Sequence, residues 1–319
     1  KVASEPEALV RSLRASELPI ARVGLEAGPL SQWLHAGLID AGLEAVLLET
    51  RHVKAALSAM TVKTDRRDAR GIAQLLRLGW YRSVHAKSVS AQEVRSLLTV
   101  RKLIQAKLLD VESGIRGVLR GFGLKVGKTT HRSFAGRVGE LVAGHPTLQG
   151  IAKALLAVHA VLLREFNALD KQLRAIARSN PQARLLMTPP AVGPIVALTY
   201  ACAIDDPSRF RSSKAAGAHF GLTPKKYQSG ETDRTGRISK IGDASVREAL
   251  YQAAHVMLVK PIRGCSELKS WAMRIVRRAG ARKAKVALAR KLAVILHRML
   301  ADGQAFNPTA KARMLAVAV

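Results

Sequence analysis

Lys63-Thr64-Asp65-Arg66-Arg67-Asp68-Ala69 places two carboxylates three residues apart where a helix is predicted to begin. Residues i and i+3 share a helix face, so Asp65 and Asp68 can point at one cation. The same residues can instead serve the helix itself, with Thr64 or Asp65 as N-cap and Asp68 complementing the macrodipole. Apolar spacing carries this helix to Leu78, and Gly79 stops it. Upstream, Ile20–Glu26 and Glu44–Glu49 read as strands, with helices over Pro6–Arg14 and Leu30–Ala41. Strands separated by helices pair in parallel through right-handed crossovers, so residues 1–85 are expected to be an α/β domain. Glu26 then ends a parallel strand, where open α/β sheets place their ligands. A divalent metal held by Glu26, Asp65 and Asp68 is one reading of these acids, and capping is the other.

Charge narrows the partner. Fifty-two Lys and Arg against 23 Asp and Glu make the chain formally +29, which reads as nucleic-acid binding. Aromatic residues, at 4%, are too scarce for a base-stacking platform as the main binding device. No stretch is expected to span a bilayer: the run Val286–Leu300 is broken by Arg290, Lys291, His297 and Arg298. Cys202 and Cys265 lack ligand-like spacing, so structural zinc is not expected and a reducing cytoplasm suits the chain. Residues 1–60 hold six Lys/Arg and seven Asp/Glu, whereas residues 260–319 hold 14 Lys/Arg against Glu267 and Asp302. That division suggests a catalytic module followed by a polyanion clamp.

The middle of the chain, residues 86–180, reads as a long coiled-coil-like helical hairpin. Leu97, Val100, Ile104, Lys107 and Val111 fall at three-to-four spacing, and Leu148, Ile151, Leu155, Leu162, Phe166, Leu169 and Leu173 repeat it beyond a Gly-rich turn at Gly121–Gly144. The apolar stripe makes this arm either an internal spacer or an oligomer interface. Within residues 181–265, a tight turn at Gly193 precedes an Ala-rich helix and resembles a helix-hairpin-helix. There, N–H groups near Gly193 take a DNA phosphate, or the segment is a plain turn. Beyond helix Ser212–Phe220, the stretch Pro224–Gly230 and Gly236–Asp243 reads as a Gly-punctuated loop. Its hydroxyls lie among Lys225, Lys226, Arg234, Arg237 and Lys240. Such cations stabilise phosphoryl transfer, so this loop cradles a phosphate or presents a serine nucleophile. Residues 266–319 read as a basic helical tail.

Glu26-Ala27-Gly28, the Lys63–Ala69 stretch and the block Ser229-Gly230 through Gly236-Arg237-Ile238-Ser239-Lys240-Ile241-Gly242 occur in that order. As a set they resemble the DEDD transposases of the insertion-sequence family that includes the pilin-gene invertase and the bridge-RNA-guided recombinases, over roughly residues 1–265. The resemblance implies an RNase H/RuvC-like domain presenting four acids to Mg2+ (or Mn2+). It also implies a helical arm for assembly into a dimer or tetramer, and a mainly helical C-terminal transposase domain with a serine nucleophile. On this likeness Glu26, Asp65 and Asp68 are the second, third and fourth acids, Ser229 is the nucleophile and Ser239 the runner-up. Donor and target DNA are the implied partners, with a structured guide RNA supplying sequence choice.

The family's first acid, an Asp on the opening strand, has no counterpart. Lys1-Val2-Ala3 is expected to be the end of a third strand, and strand Ile20–Glu26 to keep an unpaired edge. The expectation is therefore an incomplete, N-terminally truncated domain in a chain that binds nucleic acid but recombines poorly. Two other readings use the same residues. A RuvC-type structure-specific nuclease needs the acids but not Ser229, and a non-enzymatic basic nucleic-acid-binding protein needs neither.

Overall fold

Two short parallel strands hold together the first unit of the computed structural model, which describes residues 2–308. Helix α1 (Pro6–Arg14) precedes strand β1 (Val23–Glu26), helix α2 (Ser31–Asp40), strand β2 (Ala45–Leu48), helix α3 (Thr50–Ala56) and helix α4 (Asp65–Arg77). The ladder runs from Val23 opposite Ala45 to Glu26 opposite Leu48, with the parallel sense that alternating elements predict. On the far edge of β2, Leu48 bridges Ser83 in antiparallel sense, and Val84 N donates to Leu47 O at 2.8 Å. Val2 and Ala3 form no strand, a correction to the third strand expected there. This unit ends at Ser88.

Strand alternation assigns the two faces of this sheet. Val23 and Leu25 pack with Val10, Leu38 and Leu43 toward α1 and α2. Gly24 lies on the opposite face, where Leu48, Ile72, Leu75 and Leu76 bring α4 down onto the sheet. A Cβ at Gly24 would stand 2.5 Å from Leu76 Cδ1, so only glycine permits this approach.

The second unit, from Val89 onward, is mainly helical. Its arm comprises α5 (Val89–Arg120), α6 (His131–Val142) and α7 (Pro146–Ser179). α6 occupies what the sequence reading took for a Gly-rich turn. Its Gly136 and Gly139 are exposed, while Phe134, Val138 and Val142 are buried. At 32 and 34 residues, α5 and α7 span roughly 50 Å at ~1.5 Å per residue. The distal end has its own small core of Ile115, Leu119, Val126, Phe134, Val138 and Leu148. The proximal end, through Leu97, Leu98, Leu173 and Ala177, joins the main core of the unit.

Helix α7 is long and apolar enough, by length and composition, to cross a bilayer, which corrects the expectation that no stretch is. Only 17% of its apolar window is buried, and the apolar side chains divide between two faces. Leu148, Ala152 and Leu173 face inward, while Ile151, Val158 and Val161 stay exposed.

Around the main core stand α8 (Pro181–Leu186), α9 (Pro194–Ile204), α10 (Ser213–His219), α11 (Ala244–Val259), α12 (Ser266–Ala279) and α13 (Ala281–Asp302). α9 is buried from Ala197 to Ile204, which its near-uniform apolar sequence dictates. Between α10 and α11, strands β3 (Pro224–Ser229) and β4 (Thr232–Ile238) form an antiparallel hairpin, where a loop was expected. Residues 309–319, the end of the expected basic tail, and Lys1 lie outside the described residues.

Candidate functional site

Thr64 caps α4, its Oγ1 accepting from Arg67 N at 3.3 Å, so the capping role foreseen for this stretch is realised. The helical period then aligns Asp65, Asp68, Ile72 and Leu76 on one stripe. Ile72 and Leu76 meet Gly24, and Glu26, two residues along β1, lies on that same face of the sheet. By this parity Glu26 takes a position on the α4-facing side of β1, and Asp65 and Asp68 take positions on the stripe of α4 that carries Ile72 and Leu76. Glu26 and Asp65 are exposed and Asp68 half-buried. Among the described residues, no three His, Cys, Asp or Glu side chains are gathered closely enough to hold a metal ion. The acids hold these positions without forming a closed centre.

The hairpin arranges the second constellation. Gly230 takes φ +54° at the first central position of a two-residue turn, the place where type II′ hairpins favour glycine. Residues directly opposed across a ladder share a face. Ser229 opposes Thr232 and Tyr227 opposes Arg234, so Ser229, Tyr227, Arg234 and Lys225 lie on one face. Gln228, Asp233, Lys226 and Thr235 take the other. On that second face Asp233 accepts from Lys226 Nζ at 3.0 Å and from Gln228 Nε2 at 3.1 Å, so Lys226 is neutralised within the hairpin. The whole of β3 is exposed, and among the described residues the Ser229 hydroxyl has no hydrogen bond.

Ser239 differs. Half-buried at the hairpin base, it donates N–H to Thr223 O at 2.9 Å, and its Oγ accepts from Ile241 N at 3.5 Å. Bonded to Thr223, it stands about six residues of strand, roughly 20 Å, from Ser229. A bulge between Pro224 and Lys226 falls opposite Gly236 and Arg237, and Lys240 takes φ +55° just past the strand. Arg247 Nη1 secures this base, lying within 3.1 Å of the carbonyls of Phe220, Ile241 and Gly242. Asp243 caps α11 and meets Arg95 at 2.6 Å. Burial alone would raise the Asp243 pKa, but the Arg95 guanidinium brings it below the ordinary carboxylate value.

Gly193 is the N-cap of α9, partly buried, with Pro194 at the first helical position. The two helices expected on either side of a turn in the helix-hairpin-helix-like segment are present as α8 and α9. Sequence reasoning missed Tyr227, 60% exposed on the face of Ser229, because only the strand register places the two together. It also missed a basic cluster at the arm tip, where Arg116, Arg120 and Lys125 surround a cavity of about 350 Å3.

Two family matches cover separate parts of the chain. Residues 3–123 match the DEDD transposases of the IS110 type, and residues 183–270 match the family described as "Transposase IS116/IS110/IS902 family". The transposase for insertion sequence element IS1111A of Coxiella burnetii is 27% identical over 301 residues, covering 92% of this chain and 81% of that protein. The "Probable family 20 transposase" of Pseudomonas aeruginosa is 26% identical over 301 residues, covering 92% of this chain and 87% of that protein.

Proposed function

We propose that this chain cuts and rejoins DNA strands with Ser229 as the nucleophile, a reading supported by the transposase matches over residues 3–123 and 183–270. The observation that carries this reading is the unengaged Ser229 hydroxyl on a hairpin face shared with Lys225 and Arg234. In the first step Ser229 Oγ attacks a DNA phosphorus. The new Oγ–P bond replaces one P–O bond of the backbone, the serine proton departs, and the leaving sugar hydroxyl takes up a proton. Lys225 and Arg234 hold the phosphate oxygens as charge builds on them. A second DNA hydroxyl then displaces the serine. One phosphoester is exchanged for another in each step, so no external energy source is needed.

The DEDD-type domain implies divalent-metal dependence. Glu26, Asp65 and Asp68 supply the oxygen donors that Mg2+ or Mn2+ prefers. They are not gathered into a three-ligand group, so these residues do not by themselves complete such a centre. The steps above belong to the serine and its cations.

Assembly into a homo-oligomer is supported by the apolar side chains exposed along the arm, among them Val100, Leu103, Leu109, Ile151, Val158 and Val161. The surplus of 29 positive charges suits both DNA and a folded guide RNA.

A covalent adduct on a nicked, labelled donor duplex, separated under denaturing conditions and mapped by peptide mass spectrometry, tests the assignment. The adduct is expected at Ser229 and is expected to vanish in Ser229→Ala while persisting in Ser239→Ala. Attachment at another residue, or an undiminished adduct in Ser229→Ala, overturns it.

A further inference from the structure

The tip of the helical arm carries a half-open pocket lined by three cations. Helix α5 ends at Arg120, and the chain doubles back over its last turn, with Leu124 N donating to Leu119 O at 3.0 Å. Between that turn and the returning segment lies the cavity of about 350 Å3, lined by Arg116, Arg120, Leu124, Lys125, Val126 and Gly127. Three of these six residues are cations and none is an acid.

Arg116 is held in place from several sides. Its Nη1 donates to Gly127 O at 2.6 Å and its Nη2 to Thr129 Oγ1 at 2.7 Å, while the guanidinium lies 5.1 Å from the Phe134 ring centroid. Phe134 in turn stacks on His159 at 5.3 Å. His159 Nε2 and His131 Nδ1 both meet the buried Glu112 Oε1, at 3.0 and 2.6 Å. A guanidinium has five N–H donors, so Arg116 keeps capacity for a ligand after fastening the loop.

Arg120 and Lys125 are exposed and, among the described residues, have no carboxylate partner. Nearby acids are engaged elsewhere: Asp110 with Lys107, Glu140 with Arg137, and Glu112 with its two histidines. The backbone N–H groups of Lys125, Val126 and Gly127 likewise make no hydrogen bond among the described residues. Three cationic side chains lining one pocket, beside a stretch of backbone N–H groups without a partner among the described residues, match a tetrahedral oxyanion. Leu124 and Val126 add an apolar wall suited to a sugar, and the volume falls in the range of nucleotide-sized ligand pockets.

We propose that this pocket takes a phosphodiester of the nucleic-acid backbone, giving the arm a contact of its own apart from the serine hairpin. The inference rests on the nucleic-acid substrate of the proposed function but not on its serine chemistry.

Binding measured by fluorescence anisotropy tests it, using the full chain with a DNA duplex in one arm and a folded RNA hairpin in the other. Arg120→Gln/Lys125→Gln removes two exposed cations without disturbing the Arg116 lock. Lys153→Gln/Lys171→Gln removes two exposed charges from α7 as a matched control. On the polyanion that fills the pocket, the first variant is expected to flatten the slope of log K against log salt by about 1.8 for a duplex. Affinity lost between 50 and 200 mM salt then shrinks by about an order of magnitude relative to the control. A change confined to one arm identifies DNA or RNA as the source of the phosphate. Equal effects of the two variants, or none from the pocket variant on either polyanion, overturn the proposal. A chain that shows the pocket effect but forms no adduct at Ser229 keeps the pocket and loses the reaction. The converse loses only the pocket.

Discussion

The serine hairpin and the arm tip both present cations to solvent, yet they are stabilised in opposite ways. In the hairpin, two strands of polar residues lie exposed, and pairing parity alone separates the charges: Lys226 meets Asp233 on one face while Lys225 and Arg234 remain with Ser229 on the other. At the arm tip, the buried Glu112 and His159, with the half-exposed His131, lie beneath Arg116 and fasten the loop from behind. Losing a hairpin charge should therefore change chemistry and spare the fold. Losing the arm's buried carboxylate should change the fold.

The sharpest break of this contrast is Ser229→Ala, expected to lower adduct formation by about 10^3-fold or more, as removal of a nucleophile does. Thermal melting should be unchanged, because the side chain is exposed and unbonded. A drop in melting temperature would show that Ser229 is structural.

Glu112→Ala comes next, expected to cost about 2 kcal/mol by leaving the buried His159 Nε2 without its hydrogen-bond partner. Chemical denaturation reads this directly, and a loss below 1 kcal/mol would show the cluster to be idle. The same carboxylate makes the arm sensitive to acid. Burial alone would raise its pKa, but the hydrogen bonds from His131 and His159 bring it below the ordinary value. A depressed folded-state pKa contributes stability that is complete above the unfolded value of 4.5 and fades as pH falls through the folded one. Melts between pH 6 and pH 3 should thus fall more steeply for wild type than for Glu112→Gln.

Within the hairpin, Arg234→Gln should slow adduct formation by about tenfold, whereas Lys226→Gln should leave the rate within about twofold. Equal losses would mean that the two faces are not functionally distinct.

Lys291 gives the smallest and opposite effect. It is 6% exposed, its Nζ has no hydrogen bond among the described residues, and it sits 4.5 Å over the Trp271 ring. Burial, and then the nearby Arg274, push its pKa down. Lys291→Met is expected to stabilise the second unit by about 1 kcal/mol near neutral pH. The gain should shrink as pH rises, since a depressed lysine pKa means the unfolded chain holds more protons. A destabilised variant would show that the stacking on Trp271 outweighs the desolvation cost.

Much of the architecture was legible because it follows local rules. The Thr64 cap and the helix after it, the parallel pairing of two apolar strands and the three-to-four spacing of α5 and α7 all appear where the pattern puts them. The hairpin was not legible: β3 and β4 are polar on both faces, so no period-2 apolar signal marks them as strands. α6 was hidden because its glycines on the exposed face read as a turn. α7 was underrated as an apolar helix because Lys153 and His159 interrupt its run.

By itself, then, the order of residues determined most of the element types, the polyanion-seeking charge and the pairing of Asp65 with Asp68 on one helix face, since these depend on periodicity and composition. Only the tertiary structure decided that Ser229 stands free while Ser239 is held in backbone contacts, and that Lys226 is spent on Asp233. It alone brought together Glu112, His131 and His159, which lie 19 and 47 residues apart. Such choices arise from pairing register and packing between distant segments, which no local pattern encodes.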